Sequence, residues 1–121
     1  MTVGITGTAK TTVTEKNTAK TVKSGSLSVF STPMMIALME EAACNSLKLE
    51  EGQTSVGTYI AVEHKVAKGL GDEITATAQV TEVEGRKITL TVTASSDDVE
   101  IGEGTHIRYV VDADRFMSKV K

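Results

Sequence analysis

From Met34 to Leu47 the apolar positions fall three and four residues apart, whereas beyond Thr54 they alternate with threonines and charged residues. The first spacing belongs to a helix with one buried face and the second to strands with one buried face, so the pattern predicts a single long helix followed by sheet. Thr32-Pro33 opens the helix: a threonine accepts early backbone N–H groups, and a proline in the first turn has no N–H to lose. The helix runs to about Leu47, with Met35, Met39, Ala42 and Ser46 clustered on one side and Ile36, Leu38, Ala43 and Leu47 flanking them. On an ideal helix with Met35 at zero, the apolar centre falls near 40°, Glu40 at about 140° and Glu41 at about 240°. Glu41 therefore faces solvent, while Glu40 sits at the border of the buried face, partly desolvated yet reachable.

After a turn at Glu50-Glu51-Gly52, strict alternation puts Val56, Thr58, Ile60, Val62, His64 and Val66 on one strand face, so an imidazole is set on an apolar surface. Gly69 to Asp72 turns into Ile74, Ala76, Ala78 and Val80, and Glu84-Gly85 turns into Ile88, Leu90, Val92 and Ala94, each series alternating with polar residues. A last strand runs from about Glu100 to Val111, and an earlier one lies within Thr8 to Thr14. Glu15 to Val29 reads mostly as loop, and the tail after Asp112 as one helical turn with Phe116 packed beneath it. One strand, one helix and four meandering strands make an α+β fold in which an antiparallel sheet of about five strands wraps the helix, the outline of a hot-dog fold.

At 121 residues the chain suits one domain spanning 1–121. Its longest apolar run, Met34 to Met39, is far short of a bilayer span, and Met1 to Thr8 lacks the pattern of a secretory signal. A lone cysteine, Cys44, and no Cys/His cluster point to a reduced, metal-free, cytoplasmic protein without disulfides. A net charge of -3 and 3% aromatic residues argue against a nucleic-acid partner. Lys65, Lys68, Arg86, Lys87 and Arg108 can still form a local positive surface for a small polyanion.

Val29-Phe30-Ser31-Thr32-Pro33 leading into Ala37-Leu38-Met39-Glu40, Ser55-Val56-Gly57-Thr58 followed by His64, Val83 to Arg86, and Ile101 to His106 together resemble the fluoroacetyl-CoA-thioesterase-like branch of the hot-dog superfamily. The resemblance covers most of the chain. It implies hydrolysis of a small or medium acyl-CoA with no cofactor beyond the coenzyme A of the substrate, and a homodimer joined edge to edge with the substrate entering between subunits. It places the catalytic set on Thr32, Glu40 and His64, and lets the Gly57 backbone approach the thioester. Phe30, Lys65 and Arg86 are the further candidates for substrate contact. The fluoroacetate-specific member has an aromatic gate six places before the catalytic threonine, where this chain has Ser26, so the acyl group is open.

Thioester hydrolysis needs an activated nucleophile, donors for the developing oxyanion and a proton for the leaving sulfur. Glu40 can serve as base or nucleophile, Thr32 can orient the carboxylate or the acyl group, and His64 can stabilise the glutamate or protonate the sulfur. Each has a plain structural alternative: a solubilising glutamate, a helix cap, and a core histidine with one hydrogen bond. An imidazole on an apolar face needs a partner, and Glu40 is the candidate expected to provide it. Eight helical residues separate Thr32 from Glu40 by about 12 Å, so those two need a substrate or a partner subunit to bridge them. His106 is read as structural and Cys44 as inert. The rival functions are a non-hydrolytic acyl-CoA-binding module and a hot-dog hydratase or dehydratase, the latter disfavoured because no aspartate precedes His64 on its strand.

Overall fold

A computed structural model describes residues 1–120, in the order β1 (Thr6–Thr12), α1 (Ala19–Val22), α2 (Thr32–Ser46), β2 (Gln53–His64), β3 (Glu73–Glu84), β4 (Lys87–Ser96), β5 (Val99–Asp112) and α3 (Ala113–Ser118). All ladders are antiparallel and the sheet order is β1-β3-β4-β5-β2. The long helix packs on β1 and β3 and reaches β4 and β2, which is the wrapped-helix arrangement that the alternation implies. Its buried stripe is Met35, Leu38, Met39, Ala42, Ala43 and Ser46, against Ile74, Ala76, Ala78 and Val80 of β3 and Ile88, Leu90, Val92 and Ala94 of β4. Gly7 lets β1 lie directly against the helix backbone, since a Cβ there would collide with Ala42 and Ser46.

Three local expectations are corrected. The helix cap is Ser31, whose hydroxyl accepts from the Met34 N–H at 3.2 Å, and Thr32 is the first helical residue. The Glu15 to Val29 stretch holds a 3-10 turn at Glu15–Asn17 and the short α1. Phe116 lies on α3 but is 39% exposed, so it does not pack beneath that turn.

The departure that matters most is in β2. Gly57 pairs with Arg108 and Tyr59 with Ile107, leaving Thr58 as an extra residue in a β-bulge. The bulge shifts the alternation by one. Ile60, Val62 and His64 keep the inner face, but upstream of the bulge it is Ser55 and Gly57 that turn inward, and Val56 goes outward with its partner Tyr109. Without the bulge, Gly57 and His64 would lie on opposite faces.

Candidate active site

Thr32 and His64 meet. The Thr32 Oγ1 lies 2.7 Å from His64 Nδ1, although 32 residues separate them in sequence. Two backbone ties bring them together: Phe30 N–H donates to the Lys68 carbonyl at 2.8 Å, and Val29 forms a bridge with Gly69, so the strand entering the helix is laced to the segment that follows β2. An open pocket of about 360 Å³ lies over the pair, with Phe30, Lys65 and Val66 among its walls. Phe30 is 1% exposed and serves as wall from within the core. Lys65 is held by Glu100 at 2.7 Å and Glu103 at 3.2 Å.

His64 Nε2 is buried with no hydrogen-bond partner. Burial lowers the pKa of the ring from its ordinary value, opposed in part by the Val66 backbone. A neutral ring that carries its proton on Nε2 leaves Nδ1 as an acceptor for the Thr32 hydroxyl proton.

Glu40 is elsewhere within the chain. Its carboxylate is 3.8 Å from Arg108 Nη1, and a Cβ on Gly57 would come within 2.9 Å of Glu40 Oε2. Among the described residues no hydrogen bond or ion pair joins Glu40 to Thr32 or His64, so the expected Glu40–His64 partnership is replaced by Thr32–His64 and Glu40–Arg108. Arg86 joins neither pair; it donates to the Val110 carbonyl at 3.4 Å and lines a separate pocket with Arg115 and Phe116.

Arg108 is the site residue that alternation alone did not single out. Only 8% of its side chain is exposed, with Nε donating to Ser55 Oγ at 2.8 Å and Nη2 to the Ser55 carbonyl at 3.0 Å. Its signal in the sequence was an arginine two residues after a histidine, on the strand parity that both share with Gly102 and Gly104.

The chain has two histidines, and burial lowers the pKa of both His64 and His106. In the unfolded chain each takes up a proton near pH 6.5, while the folded protein resists until lower pH. Stability is therefore expected to be flat above about pH 7 and to fall as the pH drops below about 6.5. Melting temperatures above and below that pH test this, and a level profile would contradict it.

Residues 13–114 match the fluoroacetyl-CoA-specific thioesterase family, FlK. A fluoroacetyl-CoA thioesterase from Streptantibioticus cattleyicolor is 41% identical over 95 residues, covering 77% of this chain and 68% of that protein. Among solved structures, the fluoroacetyl-CoA thioesterase FlK superposes with a TM-score of 0.92 at 35% identity, over 99% of this chain and 95% of that one. A hot-dog-like protein from Thermanaerovibrio acidaminovorans superposes with a TM-score of 0.87 at 28% identity, over 98% and 89% of the two chains.

Proposed function

Because the chain belongs to the fluoroacetyl-CoA-specific thioesterase family and has its hot-dog fold, we propose that it hydrolyses a small or medium acyl-CoA to the free acid and coenzyme A. The observation that carries the reading is the 2.7 Å contact between Thr32 Oγ1 and His64 Nδ1 on the floor of an open pocket. A hydroxyl bonded to a neutral imidazole is the arrangement of an activated nucleophile. In the proposed sequence the Thr32 oxygen forms a bond to the thioester carbonyl carbon while His64 takes the hydroxyl proton. The partial positive charge at the start of α2 favours the developing oxyanion. The carbon–sulfur bond then breaks, and His64 returns the proton to the leaving sulfur. Water then bonds to the acyl-threonine carbonyl carbon as Glu40 takes its proton, the bond from that carbon to the Thr32 oxygen breaks, and the proton is passed on to the Thr32 oxygen, which releases the acid and restores the hydroxyl.

Glu40 can take part only if it comes close to that pair, and this reading requires a homodimer. β2 is an edge strand whose outer side is unpaired, a ready surface for a second copy. Antiparallel pairing sets residues of the same face opposite each other, so a two-fold axis at Ala61 would place Ile60 across from Val62 of the partner subunit. His64 would then lie across from the partner's Thr58 bulge, next to Gly57 and Glu40. Each site would combine Thr32 and His64 of one protomer with Glu40, Gly57 and Arg108 of the other.

The acyl group is tested directly. Purified protein incubated with acetyl-, fluoroacetyl-, propionyl-, butyryl- and hexanoyl-CoA is expected to release free thiol from at least one. Ser26, an exposed serine, stands at the gate position, so fluoroacetyl-CoA is not expected to be favoured over acetyl-CoA to the exclusion of the rest. Binding without turnover across the panel would make the protein an acyl-CoA-binding module.

A further inference from the structure

The Arg108 guanidinium is a buried cation with no carboxylate at hydrogen-bond distance. Ser55 supplies two neutral acceptors, Glu40 stands off at 3.8 Å, and the remaining close partner is His106 Nε2, 3.1 Å from Nη1. A desolvated charge held by neutral groups depends on each of them for its position, because removing one leaves a donor unpaired. His106 is itself 1% exposed, and its Nδ1 lies 2.8 Å from the Tyr59 carbonyl. A carbonyl can only accept, so the proton is on Nδ1 and the lone pair of Nε2 faces the guanidinium.

Tyr59 is the residue just after the Thr58 bulge, where the ladder to β5 changes register. A local break of this kind frees main-chain groups from the ladder, and here the Tyr59 carbonyl turns onto the ring. One hydrogen-bonded line therefore runs from the bulge through the imidazole and the guanidinium towards the carboxylate on α2.

We propose that His106 is a positioning residue which, as a neutral imidazole, fixes the Arg108 guanidinium beside Glu40 and so sets the acid side of the site. The inference rests on the hydrolytic reading of Glu40 given above. The charged groups facing the ring are Arg108 on its own strand and Glu40 on α2, while β2 contributes the Tyr59 carbonyl and β4 sets Leu90 opposite. Protonating His106 would turn an N–H towards the guanidinium's own N–H and place two positive charges side by side. Burial and Arg108 both lower the ring's pKa, Glu40 and the Tyr59 carbonyl oppose them, and the net direction is towards the neutral form.

Two substitutions separate hydrogen bonding from packing. His106→Leu fills the space without a donor or an acceptor, and His106→Gln keeps one of each. His106→Leu is expected to lower kcat at least about tenfold with KM changed less, and His106→Gln to recover to within about threefold of the parent. The second readout needs no activity. With three arginines in the chain, the Arg108 Nε–H is assignable in a ¹H–¹⁵N spectrum. It should be sharp in the parent and in His106→Gln, and broadened in His106→Leu. Parent-like kcat and a sharp Arg108 signal in His106→Leu would overturn the proposal. So would a folded His106→Gln that is no better than His106→Leu in either readout. A parent protein without turnover would count against the hydrolytic reading alone, leaving the spectrum to decide whether His106 holds Arg108.

Discussion

Replacing His64 with alanine is expected to lower kcat/KM by about 10²- to 10³-fold, the usual range for losing a general acid-base group. Thr32→Ala should cost about as much, and the double variant little more, because a hydroxyl and the imidazole that activates it act as one unit. Steady-state rates on the best acyl-CoA check this. Near-additive losses would separate the two residues, and parental rates in His64→Ala would remove the site altogether. The stability of Thr32→Ala provides the control. Since Ser31 holds the capping hydrogen bond, losing the Thr32 hydroxyl should leave the melting temperature nearly unchanged, whereas Ser31→Ala should destabilise by about 1 kcal/mol. If Thr32 is the nucleophile, Thr32→Ser should keep most of the activity, and mass spectrometry of protein quenched during turnover should find the acyl group on residue 32.

The pattern of buried residues was legible along most of the chain because each strand buries one face and α2 buries one stripe. Ile74 to Val80 and Ile88 to Ala94 occupy the inner face where alternation puts them, and Glu41 is exposed while Glu40 is half-buried, as the helical projection requires. Two kinds of information were not accessible from periodicity. Ser31 and Thr32 are both good capping residues, and only backbone geometry decides which of two neighbours stands outside the helix. In β2, alternation assumes an unbroken ladder, and nothing in Val56-Gly57-Thr58-Tyr59 announces an inserted residue, so alternation sets Val56 and Thr58 on the face of His64, which the bulge overturns. The identity of the partners was lost for a related reason. Faces say which residues can meet, but the pairing of His64 with Thr32 instead of Glu40 depends on how far along β2 the helix start comes to rest, a length set by the ties at Phe30 and Lys68.

The separation of the two pairs within one chain leads to the second large effect. A protein carrying His64→Ala and another carrying Glu40→Gln should each be nearly inactive, and mixing them under conditions that let subunits exchange should restore activity. If each site takes Thr32 and His64 from one protomer and Glu40 from the other, a mixed dimer has one site with both lesions and one with neither. Random reassociation makes half of the dimers mixed, so recovery should approach about a quarter of the parental rate. If all three residues of a site came from the same protomer, every site in a mixed dimer would carry one lesion and nothing would be regained. Within one chain, eight helical residues set Thr32 and Glu40 about 12 Å apart, and the stretch of β2 from Gly57 to His64 spans roughly 20 Å, distances that an attacking water or hydroxyl cannot bridge. An assembly pairing β2 edges near Ala61 would remove that gap without moving any side chain far. A strand-breaking Ala61→Pro at the centre of the proposed pairing should therefore abolish both dimer formation and turnover, with sedimentation reporting the first. A monomeric protein with parental activity would show that one chain is sufficient.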